Sequence, residues 1–183
     1  MLRNSANSWG WISRLLHWLM AALILVQITL GKYAHGLSIS PQKLDLMMWH
    51  KSLGITLLLL ALVRLAWTLS NPRPLSVTGA GFWLRSTARF SHLTLYTLMF
   101  AIPLSGWLMN SAKNFPFSFY RVFPLPSLIG PDEAMGKLFQ AWHDGLVTAL
   151  LVLLAAHVSA AFWHHLYQRD AVLLQMLGKE RNS

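Results

Sequence analysis

Four long apolar runs, separated by polar connections that carry proline and glycine, divide the chain. ISRLLHWLMAALILVQITLG predicts a first membrane span over about 11–31. MWHKSLGITLLLLALVRLAWTLS predicts a second over 44–70, and STARFSHLTLYTLMFAIPLSGWLMN a third over 84–110. The fourth, AWHDGLVTALLVLLAAHVSAAFWHH, predicts a span over 135–165. A helix rises ~1.5 Å per residue, so about 20 apolar residues cross a ~30 Å hydrocarbon core. Gly36 and Pro41 break the first connection, which has room for a short interfacial helix. NPRPLSVTGAG marks the second. The third, KNFPFSFYRVFPLPSLIGPDEAMG, predicts a loop on the membrane surface, packed over the bundle. Pro103 predicts a kink, which a spanning helix tolerates when neighbours satisfy the freed carbonyl. Pro131, Asp132 and Glu133 suit the first turn of the last helix. That helix is long enough, ~1.5 Å per residue out to Gln168, that it must protrude or bend. A short amphipathic helix and a basic tail are expected after Asp170. The pattern therefore predicts an all-α integral membrane protein, a four-transmembrane-helix bundle forming a single domain over 1–183.

Composition agrees and narrows the chemistry. Only 11% of the 183 residues are charged and 55% are hydrophobic, against about 25% charged in soluble domains. Cysteine is absent, which removes thiolate iron–sulfur ligation, covalent c-type haem attachment and disulfides. Any bound metal must use imidazole, thioether or oxygen ligands. The net charge of +9 lies at span ends and connections rather than on one face, which suits lipid headgroups and not nucleic acid. Nine tryptophans, mostly near span ends, fit interfacial belts. The early arginine and apolar run resemble a signal peptide, but no small-x-small cleavage site follows, so a retained first span is expected.

Basic residues weigh the orientation. Arg3, Arg14, Arg64, Arg73, Arg85, Arg89, Arg169, Lys179 and Arg181 fall on one side, nine in all. Lys32, Lys43, Lys51, Lys113, Arg121 and Lys137, six, fall on the other. The excess predicts both termini in the cytoplasm.

Histidines supply the candidate site. The fourth run carries His143, His157, His164 and His165, and ionisable residues within a membrane read as functional by default. His143 and His157 are 14 residues apart, within about 40° on a helix and roughly 21 Å apart along it. One imidazole thus sits near each edge of the hydrocarbon. With the orientation above, His50 matches His143 in depth on the outer side, and His17 matches His157 on the inner. A bis-histidine haem needs two imidazoles facing each other from different helices. Two such pairs predict two b haems, with His17, His50, His143 and His157 on the irons. Gly54, Ala21, Ala160 and Ala161 are small residues near these positions, room for a porphyrin or ordinary close packing. Arg14, Lys51 and Arg64 are candidates for haem propionates, Arg64 also for a quinone headgroup. His164, His165 and His92 lie at the inner side, where a quinone needs hydrogen bonds and a proton carrier. His35 reads as a surface residue of a connection. Glu-x-x-His repeats, phosphate loops and hydrolase triads are missing.

At SRLLHW, MWHKSLGITLLLLALVRL, ARFSHLTLYTLMFAIPLSGW, AWHDGLVTALLVLLAAH and AAFWHH, from Arg14 to Leu177, the chain resembles the bacterial cytochrome b561 family. The resemblance implies a four-helix membrane protein with two b haems on His17, His50, His143 and His157. It also suggests His164 in a quinone pocket. A superoxide oxidase type within that family implies electron transfer from superoxide to ubiquinone. The expected function is quinone-linked oxidoreduction across the inner membrane, from a periplasmic donor (superoxide a candidate) to ubiquinone. Lys32, Lys51, Lys113 and Lys137 could steer an anionic donor. The alternatives are a cytochrome subunit serving a partner dehydrogenase, and a haem-free bundle for transport or assembly.

Overall fold

The computed structural model describes residues 1–5, 8–72, 74 and 81–178. Four long helices carry the chain: α1 (Trp11–Gly36), α2 (Pro41–Leu69), α3 (Phe82–Ala112) and α4 (Glu133–Trp163). All four are long and apolar enough to cross a membrane. A six-residue helix α5 (Val172–Leu177) follows, as the sequence predicts. The fold class is all-α integral membrane with four spanning helices. Lys179 and Arg181, and Arg73 in the second connection, fall outside the described residues, so the basic tail and part of the charge count do too.

Each span is longer than its apolar run. α1 continues through His35, which lies in its last turn and not in a connection as the sequence suggests. No interfacial helix separates α1 from α2; only residues 37–40 do. Pro41 opens α2 rather than interrupting a helix, because an N-terminal position has no use for its missing N–H. Ser40 caps that turn, its Oγ accepting the Lys43 N–H at 3.2 Å. Lys43 Nζ donates back to the Leu37 and His35 carbonyls at 2.6 and 3.3 Å, satisfying the open end of α1. Asp132 caps α4 likewise, with Oδ1 on the Met135 N–H at 2.9 Å. Hydroxyls within the spans return their protons to the preceding turn: Thr29, Thr94, Thr97 and Thr148 bond carbonyls four residues back at 2.9–3.0 Å. Large apolar side chains such as Leu25, Val63, Leu93 and Val152 are exposed, as hydrocarbon-facing positions should be.

Two compact units emerge from the contacts, Met1–Leu19 with Leu62–Thr97 and Ala149–Ser183, and Met20–Ala61 with Leu98–Thr148. In the first, the stretch before α1 is tied to both helices near it. Buried Asn4 accepts from the Gly10 N–H and the Ser13 hydroxyl at 2.9 and 2.7 Å, and donates to the Pro72 carbonyl at 3.0 Å. Trp67 Nε1 donates to Ser13 Oγ at 2.9 Å.

In the second unit the link between α3 and α4 lies over helix ends, and it contains a feature the sequence pattern did not suggest. Ser118–Phe119 and Phe123–Pro124 pair as a minimal antiparallel hairpin. Tyr120, at its tip, donates its N–H to Ser52 Oγ and shares a hydroxyl bond with Thr56 on α2, both 3.0 Å. Arg121 pairs with Asp45. Ser111 Oγ takes the Leu128 N–H at 3.0 Å, and Trp107 Nε1 reaches the Pro126 carbonyl at 3.0 Å.

Candidate functional site

In the second unit, α2 presents His50 and α4 presents His143, with ring centres 6.4 Å apart and planes at 82°. That spacing suits a shared metal. Two metal–nitrogen bonds of about 2 Å, plus about 1.1 Å from each nitrogen to its ring centre, span roughly 6 Å. His143 Nδ1 lies 3.1 Å from the Ile102 carbonyl and 3.1 Å from Ser105 Oγ on α3. A carbonyl only accepts, so Nδ1 carries the proton and Nε2 keeps its lone pair for a metal. The His50 ring packs edge-on against α1. A Cβ on Gly31 would come within 2.6 Å of its Cε1, and one on Gly106 within 3.1 Å of the same atom of His143. His50 Nδ1 is buried without a hydrogen-bond partner, on the ring edge that faces Gly31. Gln27 on α1 donates its amide to the His50 carbonyl at 2.9 Å and sits 3.5 Å from Nε2. Lys51 Nζ lies 5.6 and 5.8 Å from the ring centres of Phe115 and Phe117, held by cation–π attraction.

In the first unit, His17 of α1 and His157 of α4 have ring centres again 6.4 Å apart, at 53°. His92 of α3 joins them, its ring 5.7 Å from that of His157. Trp18 stands edge-on to His17 at 5.1 Å. Arg64 donates to His17 Nδ1 at 2.9 Å and lies over the Tyr96 ring at 5.7 Å. A guanidinium cannot accept, so this contact gives His17 the tautomer opposite to His143. A metal on Nε2 would put a proton on Nδ1, and the contact with Arg64 would then have to be replaced. Arg14, one turn from His17 in sequence, has its guanidinium against Gly178 in a groove lined by Trp11, Leu15, Trp18, Met176 and Leu177.

His164 lies where α4 changes register. A single π turn covers His164–Gln168, so the long last helix ends in a local widening. His164 Nδ1 is bonded to Asp170 Oδ2. His165 occupies the same turn.

Both sequence-matched histidine pairs are thus brought together, and His92 joins one of them. Lys51 and Arg14 are near their pairs in sequence, yet their charged ends have other neighbours. Among the described glycines, Gly31 and Gly106 are the ones whose added Cβ would meet a histidine ring, each on a helix different from the histidine it faces. Of the small residues singled out in the sequence, Gly54 lies against Gln27, where an added Cβ would stand 3.3 Å from Nε2. Gln27, Ser105 and Asp170 carried no signal in sequence, since none lies at a helical spacing from its histidine, and Tyr96, four residues after His92, meets the pair through Arg64.

Among the described residues, no group of three or more His, Cys, Asp or Glu side chains converges as a bare metal-ion cage would. A haem would ask the protein for two side-chain ligands, and two is the number each ring pair could supply.

A family model described as prokaryotic cytochrome b561 matches residues 8–179. The chain is 32% identical to cytochrome b561 homolog 2 of Escherichia coli (strain K12) over an alignment of 183 residues, covering 96% of this chain and 94% of that protein. It is 28% identical to cytochrome b561 homolog 1 of the same organism, over 72% and 74% of the two chains. It is 25% identical to a probable superoxide oxidase CybB of Yersinia pestis, over 91% and 93%.

Proposed function

We propose that this chain, which belongs to the prokaryotic cytochrome b561 family and is therefore a multi-pass membrane electron-transfer cytochrome, carries two b haems and links a periplasmic donor to ubiquinone. Family membership implies b-type haem. The number, two, rests on the two histidine pairs, each 6.4 Å between ring centres; that repeated spacing carries the reading. His50 and His143 would hold one haem, and His17 and His157 the other. Held by two imidazoles each, the haems would supply one-electron relay rather than oxygen activation.

The protein's own groups have separable tasks. Ser105 and the Ile102 carbonyl hold the His143 ring in the ligating tautomer. Gly31 and Gly106 leave the space beside the His50 and His143 rings. Arg64, released from His17, is a half-buried cation available to a haem propionate or quinone oxygen of the first unit. Lys51, between its two phenylalanines, is the corresponding cation of the second. His164 is the quinone-side donor. The excess of basic residues around α1, α4 and the second connection supports both termini in the cytoplasm, which makes the His50–His143 end periplasmic. Superoxide as donor is supported by the name of the Yersinia relative and by lysines 32, 51, 113 and 137 on that side.

The test is a reduced-minus-oxidised visible spectrum of the detergent-purified protein, with haem counted per chain. Two low-spin b haems are expected, falling to one or none in His143→Ala and His157→Ala, after which superoxide and ubiquinol are assayed as substrates. A colourless protein made with ample haem, or unchanged haem content in both variants, would overturn the assignment.

A further inference from the structure

The turn that closes α4 holds a pair of side chains, His164 and Asp170, whose partnership lies apart from the two histidine ring pairs. Regular helix ends at Trp163 and opens into the π turn His164–Gln168. Arg169 then adopts a left-handed conformation, φ 52°, with its N–H on the His164 carbonyl. The Asp170 N–H bonds that same carbonyl at 3.2 Å. The chain reverses, and Asp170 returns to the side chain of His164, Oδ2 2.5 Å from Nδ1. On an uninterrupted helix a residue six positions on would point about 120° away, so the pair exists only because of this turn. The other carboxylate oxygen accepts the Val172 N–H at 3.0 Å. Both side chains are well covered, at 18% and 13% exposure. π turns of this kind occur often at functional sites.

We propose that Asp170 is a positioning residue for proton delivery to the quinone, an inference that rests on the reading of His164 as the quinone-side donor. An ionised carboxylate only accepts, so it holds the proton on Nδ1 and makes Nε2 the atom that exchanges one. Ubiquinone becomes ubiquinol by taking two electrons, which the protein's electron transfer delivers, and two protons. For one of them, the Nε2–H bond of imidazolium His164 breaks as an O–H bond forms on the quinone oxygen. His164 is left neutral, with Nδ1–H still on Asp170, and water returns a proton to Nε2. The second proton comes from water.

Asp170→Asn separates this role from simple capping. Asparagine keeps an oxygen for the Val172 N–H, but its amide gives His164 Nδ1 a donor to face instead of an acceptor. The ring must then carry its proton on Nε2 and turn an acceptor toward the amide. Nitrogen-15 NMR of the reduced, haem-loaded protein reads this directly, with His164→Asn assigning the resonance. The expected results are a protonated Nδ1 in the wild type and an Nε2–H tautomer in Asp170→Asn. Quinone reduction should fall ~100-fold, the lower range of general acid catalysis, with haem spectrum and quinone KM unchanged. Asp170→Glu, which restores a carboxylate, should recover most of the rate. An unprotonated Nδ1 in the wild type would overturn the proposal, and so would a wild-type rate in Asp170→Asn. Should Asp170→Asn lose its haem spectrum, the wild-type tautomer and the Asp170→Glu rate decide. A wild-type rate in His164→Asn, with the tautomer change intact, would sink the quinone reading itself and the proton-delivery role with it.

Discussion

Adding one methyl group at Gly31 should empty half of the haem from the protein, while the same change at Gly106 should not. The Gly31 Cβ would lie 2.6 Å from His50 Cε1 and 2.8 Å from Nδ1, whereas ordinary contact begins at 3.4 Å. The His50 ring must therefore retreat by about 0.8 Å, the difference between 3.4 and 2.6 Å. At Gly106 the nearest His143 atom would be at 3.1 Å, and 0.3 Å of movement suffices. A ligand set has to stay within ~0.5 Å of its working geometry, so the first displacement exceeds the tolerance and the second does not. Neither change harms the helix, since alanine is the better helix former by ~0.5–1 kcal/mol. The loss should thus appear in the cofactor and not in the fold. Haem per chain, by pyridine haemochrome, with circular dichroism as the folding control, distinguishes the cases. Gly31→Ala should retain about half of the wild-type haem and Gly106→Ala nearly all. Wild-type haem in Gly31→Ala, or a larger loss in Gly106→Ala, would refute the placement of His50 as a ligand pressed against α1.

Two further changes probe separate parts of the molecule. Arg64→Gln removes a cation from beside the His17–His157 pair; at ~8 Å and an effective dielectric of ~20 a unit charge is worth about 2 kcal/mol. One haem midpoint should drop by on the order of 90 mV in a redox titration, and an unmoved pair of midpoints would place Arg64 outside the haem field. Asp132→Ala deletes the cap on the Met135 N–H, worth about 1 kcal/mol. The melting temperature in detergent should fall by roughly 2–4 °C with haem content unchanged; haem loss at the same time would mean that the start of α4 is coupled to His143.

The spans were legible because hydrocarbon imposes a length and a composition that soluble packing does not. Their ends were less legible, since capping carried the helices beyond the apolar runs. α1 reaches His35 with Lys43 on its last carbonyls, and α2 begins at a proline that looks, in isolation, like a breaker. The histidine pairing was readable from depth, because residues at equal depth on neighbouring helices have few other candidates to meet. What surrounds the rings was not readable. Gly31 and Gly106 act on histidines carried by other helices, and their relevance depends on how the helices are rotated. Asp170 reaches His164 through a π turn and a left-handed arginine, a path no helical spacing describes. The hairpin at 118–124 was hidden for a similar reason, two residues per strand being too few to set an alternation.

The ties around Asn4 have a consequence for how the protein is made. Its bond to the Pro72 carbonyl joins positions 68 residues apart, and Trp67 meets Ser13 across a similar interval. Neither can form until the first two helices have both left the ribosome and entered the bilayer. Once they have, the residues ahead of α1 have both partners they need to clasp that pair. A bulky fusion threaded against Asn4 would therefore loosen the tie between the start of α1 and the end of α2.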